Sequence, residues 1–267
     1  MSLFLWNHPV TAERYRLFTD RHDRYGAAAR ALVEAAAIGP GHRVLDVAAG
    51  IGCTALACLE RLGEGDVLVA VEASGAMRQE GERRTRGRRI AWRSAPPEGQ
   101  QFDRVICGAA IWALGPVSEV IGGMSNLVAP GGTLAVSLPA AYLGEADEPG
   151  GGTDPHLTAL PAALAELDLG NPPGAEMAPL SDTSLAQAFR ENGFSMARSD
   201  TRLRLTQQAY LDWMALPPVN DTLLGQVRPE DRPALLARIA EDLDMSSWRW
   251  ETWALCAGTR LHDDRVQ

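Results

Sequence analysis

Short apolar runs alternate with amphipathic stretches through the first half of the chain. The run RVLDV at residues 43–47 is β-branched and bounded by glycines, which is typical of a strand buried on both faces. Runs of this kind predict strands over residues 43–47, 67–71, 90–93, 102–107 and 133–138. Helical patterns separate them, at residues 54–62 and 117–128 and in a basic stretch after the second strand. The alternation predicts a parallel sheet with helices on both faces.

The two ends of the chain also carry helix and strand patterns. Near the start, Thr11 is placed to cap one helix and Asp23 to cap a second. Later patterns predict a helix over residues 185–192 and strands near residues 198–205 and 251–258. Pro229 is expected in the first turn of a further helix. That helix places four apolar residues on one face, namely Leu235, Leu236, Ile239 and Leu243.

The 267 residues are interpreted as a single α/β domain, residues 1–267, because a hydrophobic content of 46% is ample for one large core. Residues 141–180 break the alternation, since they carry most of the glycine and proline clusters, and they are interpreted as a loop or mobile lid. Segments outside the carboxyl ends of parallel strands line the ligand crevice of such folds. Residues 1–25, 141–180 and 206–248 are therefore expected to form a substrate-facing cover.

The composition argues against several classes of protein. A formal net charge of −9 opposes the counterion release on which nucleic-acid binding depends. No apolar run approaches the ~18–20 residues that a membrane-spanning helix needs. Residues 1–9 lack the basic start and long apolar core of a secretory signal, so a cytoplasmic protein is predicted. All 25 basic residues are arginines, which excludes chemistry that depends on a lysine amine.

The cysteines and histidines form no metal-binding pattern. The cysteines are scattered and predict free, buried thiols, at Cys53, Cys58, Cys107 and Cys256. The five histidines lack any i,i+4 pairing, so no metal site is predicted. His156, in the presumed lid, is the candidate general base for catalysis, with a solvated loop histidine as the alternative.

A glycine-rich turn follows the first predicted strand. The turn AAGIG, residues 48–52, would let the backbone approach a ligand closely, with the N–H groups of the next helix pointing into the same space. Asp46 ends the strand, where sites that cradle a pyrophosphate have glycine, so a cationic ligand is favoured. Glu72 ends the second strand, where a carboxylate can accept hydrogen bonds from both hydroxyls of a ribose. A nucleoside that carries a positive charge is thus indicated.

Four segments together resemble the successive motifs of class I S-adenosylmethionine (SAM)-dependent methyltransferases of the small-molecule kind. They are VLDVAAGIG, VAVEAS, FDRVICGAAIWAL and LVAPGGTLAVSLP, in the order and spacing of that family. The resemblance covers roughly residues 10 to 140. It implies a doubly wound, Rossmann-like sheet of seven strands with the last antiparallel, under a helical and loop cover. It also implies SAM, or its demethylated product S-adenosylhomocysteine (SAH), as the cofactor.

The resemblance also implies which residues contact the cofactor. The methionine part of SAM would be surrounded by Asp46, Ala48, Gly50 and Gly52, and Glu72 would hold the ribose. The adenine would lie against Ala73, with Ser94 and Ala95 at the position of the acidic adenine contact of the family, and Gly108 and Ala109 would border the transferring methyl group. Tyr15 is a candidate for the methionine carboxylate, and helix packing is its alternative role. Trp112 is either a core residue or a wall beside the substrate.

The implied activity is methyl transfer to a partly apolar small molecule, in specialised metabolism. Two alternatives stay open: a non-methylating enzyme on the same fold, such as a cyclase of the aziridine-forming kind, and a non-catalytic binding subunit. The arginine-rich run at residues 83–89 is either a solvated face or a docking site for an anionic partner such as a carrier protein that bears the substrate. The second interpretation implies a small protein partner, and the sequence does not decide the oligomeric state.

Overall fold

Seven strands form the centre of the fold in the computed structural model, which describes residues 3–145, 159–167, 169, 180–225, 227–244 and 247–261. The strands are β1 (Val44–Val47), β2 (Leu68–Val71), β3 (Ala91–Arg93), β4 (Phe102–Gly108), β5 (Val128–Pro139), β6 (Phe194–Thr206) and β7 (Trp248–Arg260). The helices are α1 (Leu3–Trp6), α2 (Pro9–Arg21), α3 (Arg24–Ala35), α4 (Cys53–Leu59), α5 (Gly75–Arg84), α6 (Val117–Ser125), α7 (Ala159–Glu166), α8 (Asp182–Glu191), α9 (Gln207–Met214), α10 (Pro217–Leu224) and α11 (Arg232–Asp242). Short 3₁₀ turns span Ile111–Ala113 and Ala140–Leu143. None of the helices in this part of the chain is long and apolar enough to cross a membrane.

The strands pair in the order β3-β2-β1-β4-β5-β7-β6. Strands β1 to β5 run parallel, and β7 is antiparallel to both of its neighbours. The predicted doubly wound sheet with seven strands and an antiparallel last strand is therefore confirmed. The order reverses between β1 and β4, and such a reversal opens a crevice at the carboxyl ends of the strands.

Strands β1, β2, β4 and β5 bury side chains on both faces, which is why they are largely apolar in sequence, whereas the edge strand β3 buries none of its side chains fully. On one face, Leu45 and Val105 pack against α6 and α8. On the other face, Val44 and Ile106 pack against α3 and α4. All four side chains are fully buried. The sheet is thus the middle of three layers, and its rigid strand ends support the loops of the site.

A second, smaller core lies in the helical cover. Helices α7, α9 and α11 share a cluster of buried side chains in which Leu235 and Ile239 are fully buried, as the periodicity of that helix predicts. Helix α7 lies within residues 141–180, so the expectation of a loop there is wrong for Ala159–Glu166. Ala163 and Leu164 bury against the other cover helices, and this packing sustains a helix that the sequence pattern shows only weakly.

Helix starts differ from the sequence expectation at two places. Thr11 is a buried residue inside α2, and the cap is His8, whose Nδ1 accepts a hydrogen bond from Val10 N at 3.2 Å. Pro229 lies in the turn before α11, and Pro233 occupies the first turn instead. Proline suits both places because it needs no helical N–H partner. Asp23 does stand at the N-cap of α3, but its side chain bonds Arg30 and not the helix backbone.

Candidate functional site

A cavity of about 550 Å³ opens at the carboxyl edge of the sheet, where the strand order reverses. Small-molecule sites commonly have volumes of about 300–1,000 Å³. The loops after β1, β2, β3 and β4 all contribute to its wall. The predicted cofactor residues that line it are Tyr15, Ala48, Gly50, Glu72, Ala73, Ser94, Ala95, Gly108 and Ala109. The structure therefore brings together residues that are far apart in sequence.

The turn after β1 has a left-handed backbone at three of its residues. The φ angles are +56° at Ala48, +57° at Gly50 and +90° at Gly52. Ala109, in the turn after β4, shares the +56° value of Ala48. A left-handed alanine costs about 1–2 kcal/mol, and such strain concentrates at ligand sites. The two turns that border the cavity on either side of the reversal are thus both strained.

Glu72 is fixed by backbone N–H groups from two different turns. Gly50 N donates to Oε2 at 2.8 Å, and Ser74 N donates to Oε1 at 2.7 Å. Burial raises the pKa of Glu72, and the two backbone hydrogen bonds offset part of that rise. A carboxylate has about four acceptor sites, so each oxygen retains capacity for one more hydrogen bond. The carboxylate can therefore accept a pair of neighbouring hydroxyls without losing its own supports.

Two of the predicted cofactor residues, Asp46 and Gly52, do not line the cavity. Asp46 is fully buried behind the turn, and neither carboxylate oxygen has a hydrogen-bond partner of normal geometry within the described residues. Burial raises the pKa of its carboxyl well above the usual value, with a further rise from Glu72 and a partial offset from the backbone of Ala55. Gly52 instead is the N-cap residue that precedes α4, with a φ that favours glycine. Both residues shape the turn from behind.

A family model described as a methyltransferase domain matches residues 20–199, which is well over half of the chain. The chain belongs to the methyltransferase family. The matched region includes β1 to β5 and the loops after β1, β2, β3 and β4 that line the cavity. Together with the seven-stranded sheet, this match confirms the resemblance to class I SAM-dependent methyltransferases.

Solved structures share the methyltransferase fold at low sequence identity. YcgJ from Bacillus subtilis is 16% identical with a TM-score of 0.54, over 88% of this chain and 99% of that chain. A methyltransferase from Haloferax volcanii, solved with the activator Trm112, is 16% identical with a TM-score of 0.54, over 95% and 97%. The [4+2]-cyclase SpnF is 16% identical with a TM-score of 0.51, over 88% and 81%. No curated protein matches this chain. The likeness at these identities shows the fold alone.

The first two helices close one side of the methyltransferase site. The Ser74 hydroxyl, which caps α5, donates to the Trp6 carbonyl at 2.9 Å. Asn7 Oδ1 accepts from Ala76 N at 3.3 Å. Trp6 and Tyr15 form an edge-to-face pair with centroids 5.6 Å apart. Ser74 was recognisable as a helix cap from its residue type, but nothing in the sequence indicated Trp6 or Asn7.

The other half of the cavity is aromatic, and most of it was not foreseen from the sequence. Trp112 lines the cavity and stacks on Tyr142, with ring centroids 4.3 Å apart and an interplanar angle of 23°. Tyr25 and Trp213 also line it. These four side chains come from α3, the turn after β4, the turn after β5 and α9. Each of the three predicted cover segments therefore contributes to the wall, with Tyr25, Tyr142 and Trp213 as examples.

The predicted general base and the four cysteines differ in their relation to the cavity. His156 and most of the predicted lid lie outside the described residues. Cys53 is half-buried and lines the cavity, because it is the first residue of α4, whereas the other three cysteines are buried. Where the chain is described, no group of three or more His, Cys, Asp or Glu is placed to hold a metal ion.

Most of the arginine-rich run lies away from the cavity. Arg84 is the exception, because its Nη1 donates to Sγ of Cys53, in the cavity wall, at 3.3 Å. The run covers the end of α5 and the turn before β3, whereas the cavity wall includes Ser94 and Ala95, which follow β3. Arg83 pairs with the buried Glu80, and Arg89 donates to the Gly63 carbonyl at 2.9 Å. The run is therefore partly tied to the fold, and a docked carrier protein stays a prediction from the sequence.

Proposed function

We propose that the chain is a SAM-dependent methyltransferase that acts on a small molecule. The observation that carries the proposal is the position of Glu72, which is anchored on two turns and presents its free acceptor sites beside the strained Ala48 turn in one cavity. A carboxylate in this position suits a ribose diol, and the left-handed turn suits close approach of backbone to a ligand.

The residues present fit the proposed cofactor. Glu72 would accept hydrogen bonds from the ribose hydroxyls, and Ser94 and Ala95 would lie along the adenine. Ala48 and Gly50 would offer backbone to the methionine part, with the buried Asp46 behind them. When bound, SAM supplies an electrophilic methyl group on a sulfonium. The chain itself orients the acceptor, and positioning in a water-poor cavity can supply most of the acceleration.

The phenols in the wall stay protonated near neutral pH. Burial raises the pKa of Tyr15, Tyr25 and Tyr142. No histidine lies among the described residues of the wall, and His156 stays a predicted base. The described wall therefore suits acceptors that are already nucleophilic or lose a proton readily. Specialised metabolism and a cytoplasmic location stay predictions from the sequence.

The test is turnover with SAM and a panel of aromatic small molecules, followed by mass spectrometry. Methyl transfer predicts a product heavier by one methyl group, with SAH released in equal amount. Glu72→Ala should abolish this signal at low SAM concentration. SpnF shows that a cyclase can share the fold. Turnover that SAH supports equally well, without a gain of mass, would replace the proposal with such a non-methylating reaction, and binding without turnover would indicate a binding subunit.

A protein partner is a separate question within the proposal. The Haloferax volcanii methyltransferase was solved with a small activator, Trm112. Size-exclusion chromatography with light scattering would give the oligomeric state of this chain. Turnover of the purified chain by itself would show that no activator is required.

A further inference from the structure

The Tyr25 hydroxyl accepts two hydrogen bonds and donates none within the described residues. Trp213 Nε1 lies 3.1 Å from the phenol oxygen, and Arg24 Nη1 lies 3.4 Å from it. Indole N–H and guanidinium groups can only donate, so the phenol oxygen is the acceptor in both contacts. A phenol has one proton of its own to donate. Because Tyr25 lines the cavity, that proton is left for a bound molecule.

A buried ion pair fixes this arrangement. Arg24 and Glu251 are both buried and make a two-point contact, with Arg24 Nε donating to Glu251 Oε2 at 2.8 Å. Trp253 Nε1 donates to the same carboxylate at 2.8 Å. The Arg24 guanidinium lies over the Trp213 ring, 4.6 Å from its centroid. The Arg24 and Trp213 side chains that donate to Tyr25 are thereby fixed in place. Because they occupy the acceptor sites of the phenol oxygen, that oxygen does not accept a hydrogen bond from a ligand.

The rest of this half of the cavity is flat and uncharged. The stacked Trp112 and Tyr142 rings form one wall, and Val219 and Leu114 add apolar surface. Glu72 is the one charged side chain among the described residues of the cavity wall, and it belongs to the loop after β2. The sheet order places β5 and β7 on the other side of β1 from β2. An anionic ligand therefore meets no cationic side chain in the described wall.

We propose that Tyr25 is a specificity-determining residue, and that the acceptor substrate is a neutral, flat, conjugated molecule with an oxygen that takes the Tyr25 hydrogen bond. That the bound molecule accepts a methyl group rests on the proposed function, whereas the binding preference is a property of the cavity itself. Aromatic walls favour a flat ring system through stacking. A donor held in a fixed orientation, as Tyr25 is, favours a carbonyl oxygen over a hydrocarbon group of the same shape.

Three naphthalene probes test the proposal by calorimetry on the SAH-saturated protein. They are 2-acetonaphthone, its hydrocarbon isostere 2-isopropenylnaphthalene, and the anion 2-naphthoate. The ketone should bind more tightly than the hydrocarbon, and 2-naphthoate should bind most weakly. In Tyr25→Phe the ratio of ketone to hydrocarbon affinity should fall about fivefold to tenfold, the effect of one hydrogen bond. Tyr142→Phe makes the same chemical change at a second tyrosine of the wall, whose hydroxyl makes no hydrogen bond with the described residues, and should change the ratio less than Tyr25→Phe.

A second variant tests the orienting role of Trp213. Trp213→Phe frees one lone pair on the Tyr25 oxygen, so the ratio should fall by less than in Tyr25→Phe. An unchanged ratio in Tyr25→Phe would overturn the proposal, as would no binding of the ketone to wild-type protein, or 2-naphthoate binding as tightly as the ketone. SAH titration of the same samples checks folding and tests the proposed function separately. If SAH does not bind, the probes are titrated without it, and the ratio still decides the role of Tyr25.

Discussion

Replacing Glu72 by alanine removes the acceptor of two backbone hydrogen bonds, from Gly50 and Ser74. Hydrogen bonds to a charged group contribute about 1.5–3 kcal/mol each. The raised pKa of Glu72 shows that burial of its carboxylate costs more than these bonds recover, so their sum overstates the loss. We expect a loss of about 1–3 kcal/mol in the free energy of unfolding without ligand.

The same substitution removes the proposed ribose contact. Loss of two hydrogen bonds to a carboxylate predicts that SAH binds about 2–4 kcal/mol more weakly, a factor of roughly 30 to 1,000 in Kd. Calorimetry measures this loss, and chemical denaturation with and without SAH measures the stability change separately, because a ligand stabilises only the state it binds.

Ser181→Ala is the matched control for the loss of stability. Ser181 caps α8 by accepting a hydrogen bond from Ser184 N at 3.0 Å, and neither residue lines the cavity. The loss of this cap should cost about 1 kcal/mol of stability and leave SAH affinity unchanged. The reasoning is refuted if Glu72→Ala binds SAH as tightly as the wild-type protein, or if Ser181→Ala weakens SAH binding as strongly.

Three further substitutions test the turn, the buried acid and the ion pair. Ala48→Gly should raise stability by about 0.5–1 kcal/mol in thermal unfolding, since relief of left-handed strain exceeds the added chain entropy. Asp46→Asn should raise stability at pH 7 by about 1–3 kcal/mol, by removing a buried, unpaired carboxyl whose ionised form is disfavoured by burial. The pKa of Asp46 in the folded protein lies above its usual value of 3.8. The wild-type protein therefore has the full stability that this shift contributes below pH 3.8, and it loses that stability as the pH rises through the folded pKa. The stability gained by Asp46→Asn should accordingly vanish when urea unfolding is measured below pH 3.8. Glu251→Ala should cost about 3–5 kcal/mol in chemical denaturation, and joint replacement of Arg24 and Glu251 by methionine should cost less, because no unpaired charge is then buried.

The cofactor half of the site could be predicted because its residues follow directly on strands. Glu72 and the Ala48 turn lie one residue beyond β2 and β1, and a parallel sheet brings all such ends to one edge. Strand-end positions can be recognised from short apolar runs, so the residues follow from local pattern. Asp46 was also found in this way, but its burial depends on how the turn folds over it, which the sequence pattern does not describe.

The aromatic half could not be predicted because it depends on packing between distant segments. Tyr25 and Trp213 are 188 residues apart, and the hydrogen bond between them forms only when α3 and α9 meet over the sheet. The sequence does not indicate that Arg24 pairs with Glu251, because the apolar surroundings of both residues form only when the chain folds. The predicted start of α2 was wrong for a related reason. His8 is an uncommon N-cap residue, and Thr11, the expected N-cap, is buried inside the helix.

The cofactor half and the aromatic half of the cavity differ in how far their residues can be substituted. The loop after β2 holds Glu72, the one charged group of the described wall. The turn after β1 is strained at Ala48, and its Gly50 N–H is bonded to Glu72. The cover helix α9 and the turn that carries Tyr142 rest instead on side-chain packing, which tolerates substitution when volume is kept. Substitutions at Trp213 or Tyr142 can therefore change which molecule fits beside the cofactor without moving Glu72. This separation is the physical reason that one fold can serve many small-molecule acceptors.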